Sequence, residues 1–177
     1  MAIRKKQKTP VYSLLVMLLS LFMAGCGVKY GFTGGSIPEN MKTVHVEYFE
    51  NIAPMVLPSL SQNFTEGLKE RIRNQSRLSQ VNGEADALFE GVITGYDISP
   101  AAVQAGSDRA ALNRLTITVK VRYTNRLDET GDSNFEESFS QFREFPGQLQ
   151  QQQAESMSQE IIKLLTEDVY NRAFANW

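Results

Sequence analysis

The chain has 177 residues, 42% of them hydrophobic and 21% charged, which is the balance of one folded domain and excludes a disordered tail, a polytopic membrane protein or two full domains. The formal net charge of −2 is unevenly spread: residues 1–25 hold four of the 18 bases and none of the 20 acids, so the remainder carries −6, a balance that disfavours a nucleic-acid partner. The single cysteine, Cys26, stands between these two parts and has no internal disulfide partner.

Residues 1–25 read as an export signal. Arg4, Lys5, Lys6 and Lys8 precede an apolar run from Val11 to Met23, and Ala24-Gly25 stand just before Cys26. The run is 13 residues long and is interrupted by Tyr12, Ser13 and Ser20, whereas a spanning helix needs about 20 apolar residues. Cleavage is therefore expected. The segment Leu21-Phe22-Met23-Ala24-Gly25-Cys26 resembles a bacterial lipobox, with Met23 where that pattern prefers an aliphatic residue such as Leu. The resemblance implies that Cys26 becomes the first residue and carries diacylglycerol and an N-acyl chain, with no other cofactor. Several acyl chains together anchor a protein stably without a transmembrane helix. Residues 26–40, with Gly31, Gly34, Gly35 and Pro38, read as a flexible leader, and residues 41–177 as the domain. No acidic run follows Cys26, which favours the periplasmic side.

Within the domain, Val44, Val46 and Tyr48 alternate with His45, Glu47 and Phe49, predicting a strand over Thr43–Phe49. After Pro58 the period changes. Ser59 and Gln62 have capping-box spacing, and Leu60, Phe64, Leu68 and Ile72 recur every four residues, predicting an amphipathic helix. Leu78–Val81 reads as a short strand before Asn82-Gly83. Leu88–Ile98 carries apolar groups on both phases, as in a strand with both faces partly covered. Ser99–Asn113 reads as a long polar loop, either mobile or functional.

The clearest alternation follows: Leu115, Ile117, Val119, Val121 and Tyr123 on one face, and Thr116, Thr118, Lys120, Arg122 and Thr124 on the other. Asp128–Asp132 makes the hairpin loop. Phe135–Phe145 returns with Phe139, Phe142 and Phe145 on both phases, predicting a bulge or a second buried face. Pro146-Gly147 breaks the strand. A final long helix carries Ala154, Met157, Ile161, Leu165 and Val169 on a stripe after the polar run Gln150–Gln153. The order gives an α+β two-layer sandwich: a mostly antiparallel sheet of four to five strands, with two helices on one face and the other face free.

Chemistry is sparse. His45 is the only histidine and reads as exposed or lining the sheet. The acids have neither calcium-loop nor zinc spacing. Gly91 and Gly95 lack a phosphate-loop pattern and mark close approach of another backbone or side chain. Lys120 and Arg122 form a basic row on the wet face, with Arg114 and Arg126 near the ends of their strand. Such a row suits phosphate or carboxylate groups, or it pairs with acids on neighbouring strands such as Glu90 or Glu136.

Several blocks of residues resemble the LptE-like lipoproteins of lipopolysaccharide assembly, in their Bacteroidetes form. They are Gly31-Phe32-Thr33-Gly34, Ser36-Ile37-Pro38, Val46–Pro54, Leu60–Glu66, Phe89–Tyr96, Ala111–Val121 and Ala173–Trp177, in order along the mature chain. The resemblance implies a non-enzymatic partner of an LptD-like outer-membrane β-barrel. Such a protein sits largely inside the barrel as a plug, helps it assemble, and binds lipopolysaccharide bound for the outer leaflet. It implies an outer-membrane location, lipid-anchored on the periplasmic side and within the barrel lumen. Cys26 is the one residue carried over directly. Lys120, Arg122, Arg114 and Arg126 as lipopolysaccharide contacts are a reading of this sequence alone. Two alternatives stand beside it: a stand-alone lipid-binding lipoprotein facing the periplasm, and an enzyme, for which no catalytic constellation is visible.

Overall fold

The computed structural model describes residues 37–55, 57–101 and 112–175. Cys26, the predicted signal and most of the predicted leader lie outside these residues, as do most of the residues of the predicted Ser99–Asn113 loop. The elements run β1 (Thr43–Val46), β2 (Glu50–Asn51), α1 (Leu60–Gln75), β3 (Ser79–Gln80), β4 (Ala87–Pro100), β5 (Leu112–Asn125), β6 (Phe135–Pro146) and α2 (Gln151–Phe174). One six-stranded sheet has the order β3-β1-β4-β5-β6, and β2 continues the line of β1 along β4.

Alternation decides the layers. Leu115, Ile117, Val119, Val121 and Tyr123 on β5 are all buried, while Lys120 and Arg122 between them are exposed. The α1 stripe Leu60, Phe64, Leu68 and Ile72 is fully buried, and the α2 stripe Ala154, Met157, Ile161, Leu165 and Val169 is buried. Both helices pack on this one face, α1 toward β1–β3 and α2 toward β5 and β6, and on each other. Phe89, Tyr123, Phe135 and Phe174 form the aromatic centre, with ring centroids 4.9–5.8 Å apart. The α+β two-layer sandwich read from the sequence is the fold observed.

The sheet is mixed, however, and has six strands rather than four or five. β1 runs parallel to both β3 and β4, and β2 runs parallel to β4; only β4-β5-β6 is an antiparallel meander. The helix between β2 and β3 is the reason. Crossing α1 returns the chain to the end where β1 began, so the next strands run in the same direction.

The predicted first strand is also divided. Glu47 N–H donates to Phe89 O at 2.9 Å and Ile52 N–H to Ile93 O at 3.0 Å, but between them the chain leaves the ladder. There Phe49 turns inward, and its backbone N–H donates to Thr65 Oγ1 (3.1 Å), whose hydroxyl donates in turn to Ser61 O (2.8 Å). The Phe49 ring meets Phe64 edge-on at 4.9 Å and covers Gly91. A Cβ on Gly91 would lie 2.1 Å from Lys120 O and 2.6 Å from Phe49 Cε1. Close approach of both a backbone and a side chain thus explains this glycine.

The bulge lies in β4, not in β6. Ile93 pairs with Val119 and Gly95 with Thr118, so Thr94 is the extra residue. One inserted residue flips the phase, which places Tyr96 on the same buried side as Phe89 and Ile93 and explains the two apolar phases of this strand. β6 pairs with β5 without a register shift. Phe135, Phe139 and Phe145 face the helices, and Phe142 is 44% exposed on the opposite side. That side is not a second buried face.

The capping box does not form, because Ser59 is already in the helical region (φ −78°, ψ −10°) and its side chain makes no cap bond. Four residues read as part of the long polar loop lie in strands: Ser99 and Pro100 extend β4, and Leu112 and Asn113 begin β5.

Two carboxylates hold loops in place. Asp86 Oδ2 accepts the N–H groups of Lys42 (2.8 Å) and Thr43 (2.9 Å), tying the start of β1 to the approach to β4. Asp128 accepts from Thr130, Gly131 and Ser133 through both oxygens and closes the β5–β6 loop. The Ser133 and Thr130 hydroxyls hold its carboxyl well below the ordinary value of 3.8. A depressed folded-state pKa adds stability that is present above the unfolded value and is lost as pH falls below it. Asp128→Ala should therefore lower the thermal midpoint at pH 7, with the gap to wild type closing as pH falls below 3.8, read by circular dichroism melts. Gly91→Ala should destabilise by about 1–3 kcal/mol or more, the range for overpacking a filled core, read by urea denaturation.

Candidate functional site: the open face of the sheet

The face of β4-β5-β6 away from the helices is where the sequence placed its basic row. β5 projects Arg114, Thr116, Thr118, Lys120, Arg122 and Thr124 onto it, and the register sets their neighbours. Glu90 and Glu136 flank Arg122; Val92 and Ser138 flank Lys120; Thr116 lies beside Phe142, and Arg114 beside Glu144. The middle of the face is a flat strip of small hydroxyl residues, in which Thr118 and Ser140 hydroxyls hydrogen-bond at 3.1 Å.

The four basic residues do not converge. Successive strand residues advance about 3.4 Å, so Arg114 lies roughly 27 Å along β5 from Arg122. It is occupied locally: its Nη2 is 2.6 Å from Glu144 Oε1, and its guanidinium stacks 4.1 Å from the Phe142 ring centroid. Arg126 follows the end of β5, where its backbone N–H donates to Asp86 O and its side chain lies 3.9 Å from Glu84. Lys120 and Arg122 do meet, and they meet at Glu136. Lys120 Nζ is 2.5 Å from Glu136 Oε1, and Arg122 Nε and Nη2 donate to Oε2 at 2.8 and 2.7 Å. Their pairing with acids on the neighbouring strand, one of the two readings of the row, is therefore present. Lys120 and then Arg122 hold the Glu136 carboxyl below its usual range, and Glu136 raises Arg122.

Glu90, Gly91, Val92, Lys120, Arg122 and Glu136 line a shallow depression of about 260 Å³. A larger groove of about 460 Å³ runs between the helices along Gly67, Arg71, Ile162 and Thr166. Arg71 is consumed there in binding α2, donating to Lys163 O (2.8 Å) and Thr166 Oγ1 (3.2 Å). His45 is half-buried, and its Nδ1–H donates to Val81 O at 2.8 Å, a tie between β1 and the end of β3. Among the described residues no three His, Cys, Asp or Glu side chains group as metal ligands, and no helix is long and apolar enough to cross a membrane.

Sequence reading missed the apolar edge of this face. Tyr48 and Ile52 are 60% and 61% exposed, beside the β4 residues of the open side. Reading Thr43–Phe49 as one regular strand put Tyr48 in phase with Val44 and Val46, which are buried, and Phe49 in the opposite phase. Phe142, read from the sequence as a sign of a bulge or a second buried face, is instead an exposed ring on the same phase as Glu136 and Glu144.

Solved structures of low sequence identity are similar to this chain. A hypothetical protein from Chlamydia trachomatis matches over 75% of this chain and 98% of its own, with 9% identity and a TM-score of 0.53. The minor lipoprotein of Acinetobacter baumannii matches over 75% and 91%, with 13% identity and a TM-score of 0.48. PelC of Paraburkholderia phytofirmans matches over 82% and 96%, with 12% identity and a TM-score of 0.49. No curated protein matches the chain in sequence. The family model described as LptE, lipopolysaccharide assembly, matches residues 41–173, from the residue before Lys42 and β1 to the last turn of α2. The chain belongs to the LptE family of lipopolysaccharide-assembly proteins.

Proposed function

We propose that this protein is a lipid-anchored, non-catalytic partner of an LptD-type outer-membrane β-barrel, which it helps to assemble and plugs, and that it contacts lipopolysaccharide there. The family match over residues 41–173 carries this reading. Cys26, acylated after removal of residues 1–25, holds the domain at the outer membrane on the periplasmic side. The form of the domain supports the placement. Most of its apolar side chains are spent between one sheet face and two helices, and the open face is hydroxylated and charged apart from Phe142 and the edge at Tyr48 and Ile52. A barrel lumen is polar, so a plug with polar outer surfaces suits it.

On the open face, Lys120 and Arg122 are the pair placed to meet a lipid A phosphate, because they are adjacent and solvent-accessible, at 49% and 57% side-chain exposure. Arg114 and Arg126, each engaged elsewhere, serve at most as outlying contacts along the same face.

Affinity purification from detergent-solubilised outer membrane, with mass spectrometry, should return a β-barrel partner and a Cys26-terminal peptide carrying the acyl mass. Recovery of the lipoprotein without a barrel, while the isolated protein still binds lipid, would replace this reading with that of a stand-alone lipid-binding lipoprotein. Lys120→Glu combined with Arg122→Glu should weaken lipopolysaccharide binding at least severalfold and leave the barrel complex intact; unchanged affinity would return both side chains to a solubilising role.

A further inference from the structure

Lys120 and Arg122 already hold an anion. They occupy alternate positions on β5, about 7 Å apart along the strand, yet their head groups close on a single carboxylate. Lys120 takes one oxygen of Glu136 and Arg122 takes the other. The cross-strand register imposes this, since Glu136 is paired with Arg122, while the residue opposite Lys120 is the small, uncharged Ser138. Glu136 stands on β6, the outer strand of the sheet, and remains 38% exposed. With Glu90 on the far side of Arg122, the two cations and two acids sum to zero.

We propose that Glu136 is a place-holding counter-ion that a phosphate monoester displaces, and that this exchange makes the depression selective for phosphate monoesters over singly charged anions. The inference rests on the Lys120–Arg122 part of the reading above. Two cations arranged around two oxygens of one anion are already set for two oxygens of another. Exposed ion pairs contribute little net stability, so Glu136 can turn to water at the sheet edge without unfolding anything. What replaces it must do better than a carboxylate. A phosphodiester or a second carboxylate brings a single negative charge and gains nothing over Glu136. A phosphate monoester carries about −1.5 to −2 charges and three acceptor oxygens at pH 7, so it can satisfy both cations and retain an oxygen for water or Ser138. The neutral face therefore ignores ordinary phosphodiester headgroups, and Glu136 sets the threshold an anion must exceed.

The test uses the full chain in detergent, titrated calorimetrically at pH 8 with dihexanoyl phosphatidic acid, a monoester, and dihexanoyl phosphatidylglycerol, a diester. Wild type should bind the monoester and not the diester. Glu136→Gln should bind the monoester about fivefold more tightly, the order expected on lifting one unit-charge repulsion at a solvated surface, and should also acquire diester binding. Lys120→Glu with Arg122→Glu should bind neither. Inorganic phosphate, run as a third ligand, distinguishes the sources: binding matched to the monoester lipid assigns recognition to the phosphate alone, and weaker binding assigns part of it to the lipid-borne group. If wild type binds the monoester and Glu136→Gln changes neither affinity nor selectivity, the place-holder role is overturned and phosphate contact by the open face stands. If wild type and Glu136→Gln both fail to bind any of the three, phosphate recognition by Lys120 and Arg122 fails with it.

Discussion

The register of β5 is the constraint on which the rest of the structure depends. Its odd-numbered residues from Leu115 to Tyr123 fill the layer beneath the helices, and its even-numbered residues carry the hydroxyls and charges of the open face. Because strand side chains alternate with period two, a slip of one residue would bury Lys120 and Arg122 and expose five core side chains. The paired strands enforce the same setting from both sides. On β4, Glu90 and Val92 meet Arg122 and Lys120; on β6, Glu136 and Ser138 do so. Core and candidate site are two faces of one register.

This coupling also governs what was legible in the sequence. Strong alternation in β5 and four-residue spacing in both helices identified the layers, the buried stripes and the free face. What alternation could not supply was direction and interruption. That β1 is parallel to β4 follows only once α1 is recognised as a crossover, which depends on tertiary pairing and not on any local period. The Thr94 bulge and the departure of Tyr48 and Phe49 from the β1–β2 line each shift the phase, so a fixed period read through them puts Tyr48 in phase with Val44 and Val46 and gives β4 two half-covered faces. Gly91 was visible as an anomaly, but the Phe49 ring that requires it comes from 42 residues earlier in the chain.

The candidate site was partly legible for the same reason. Phase alone placed Lys120, Arg122 and Arg114 on one face. It could not show that Arg114, roughly 20–27 Å along the strand from the other two, is taken up by Glu144 and Phe142, or that the acid across the ladder is close enough to neutralise Lys120 and Arg122. The row of like charges in the sequence becomes, in the sheet, two separate ion-paired stations joined by a strip of hydroxyls. Only one of these holds two cations together.

The position of β1 has a mechanical consequence. It is the first strand after the segment that follows Cys26, and it lies between two parallel neighbours, β3 and β4, with Asp86 gripping the backbone of Lys42 and Thr43 at its start. A load directed along this strand from its N-terminal end reaches these bonds just after those from Arg77 to the Ile37 and Pro38 carbonyls. Hydrogen bonds to both neighbours would then be strained together in shear, not opened one at a time from an end. Under such a load β1 takes the shear ahead of the meander, so the strands that carry Lys120, Arg122 and Glu136 are strained only after it yields.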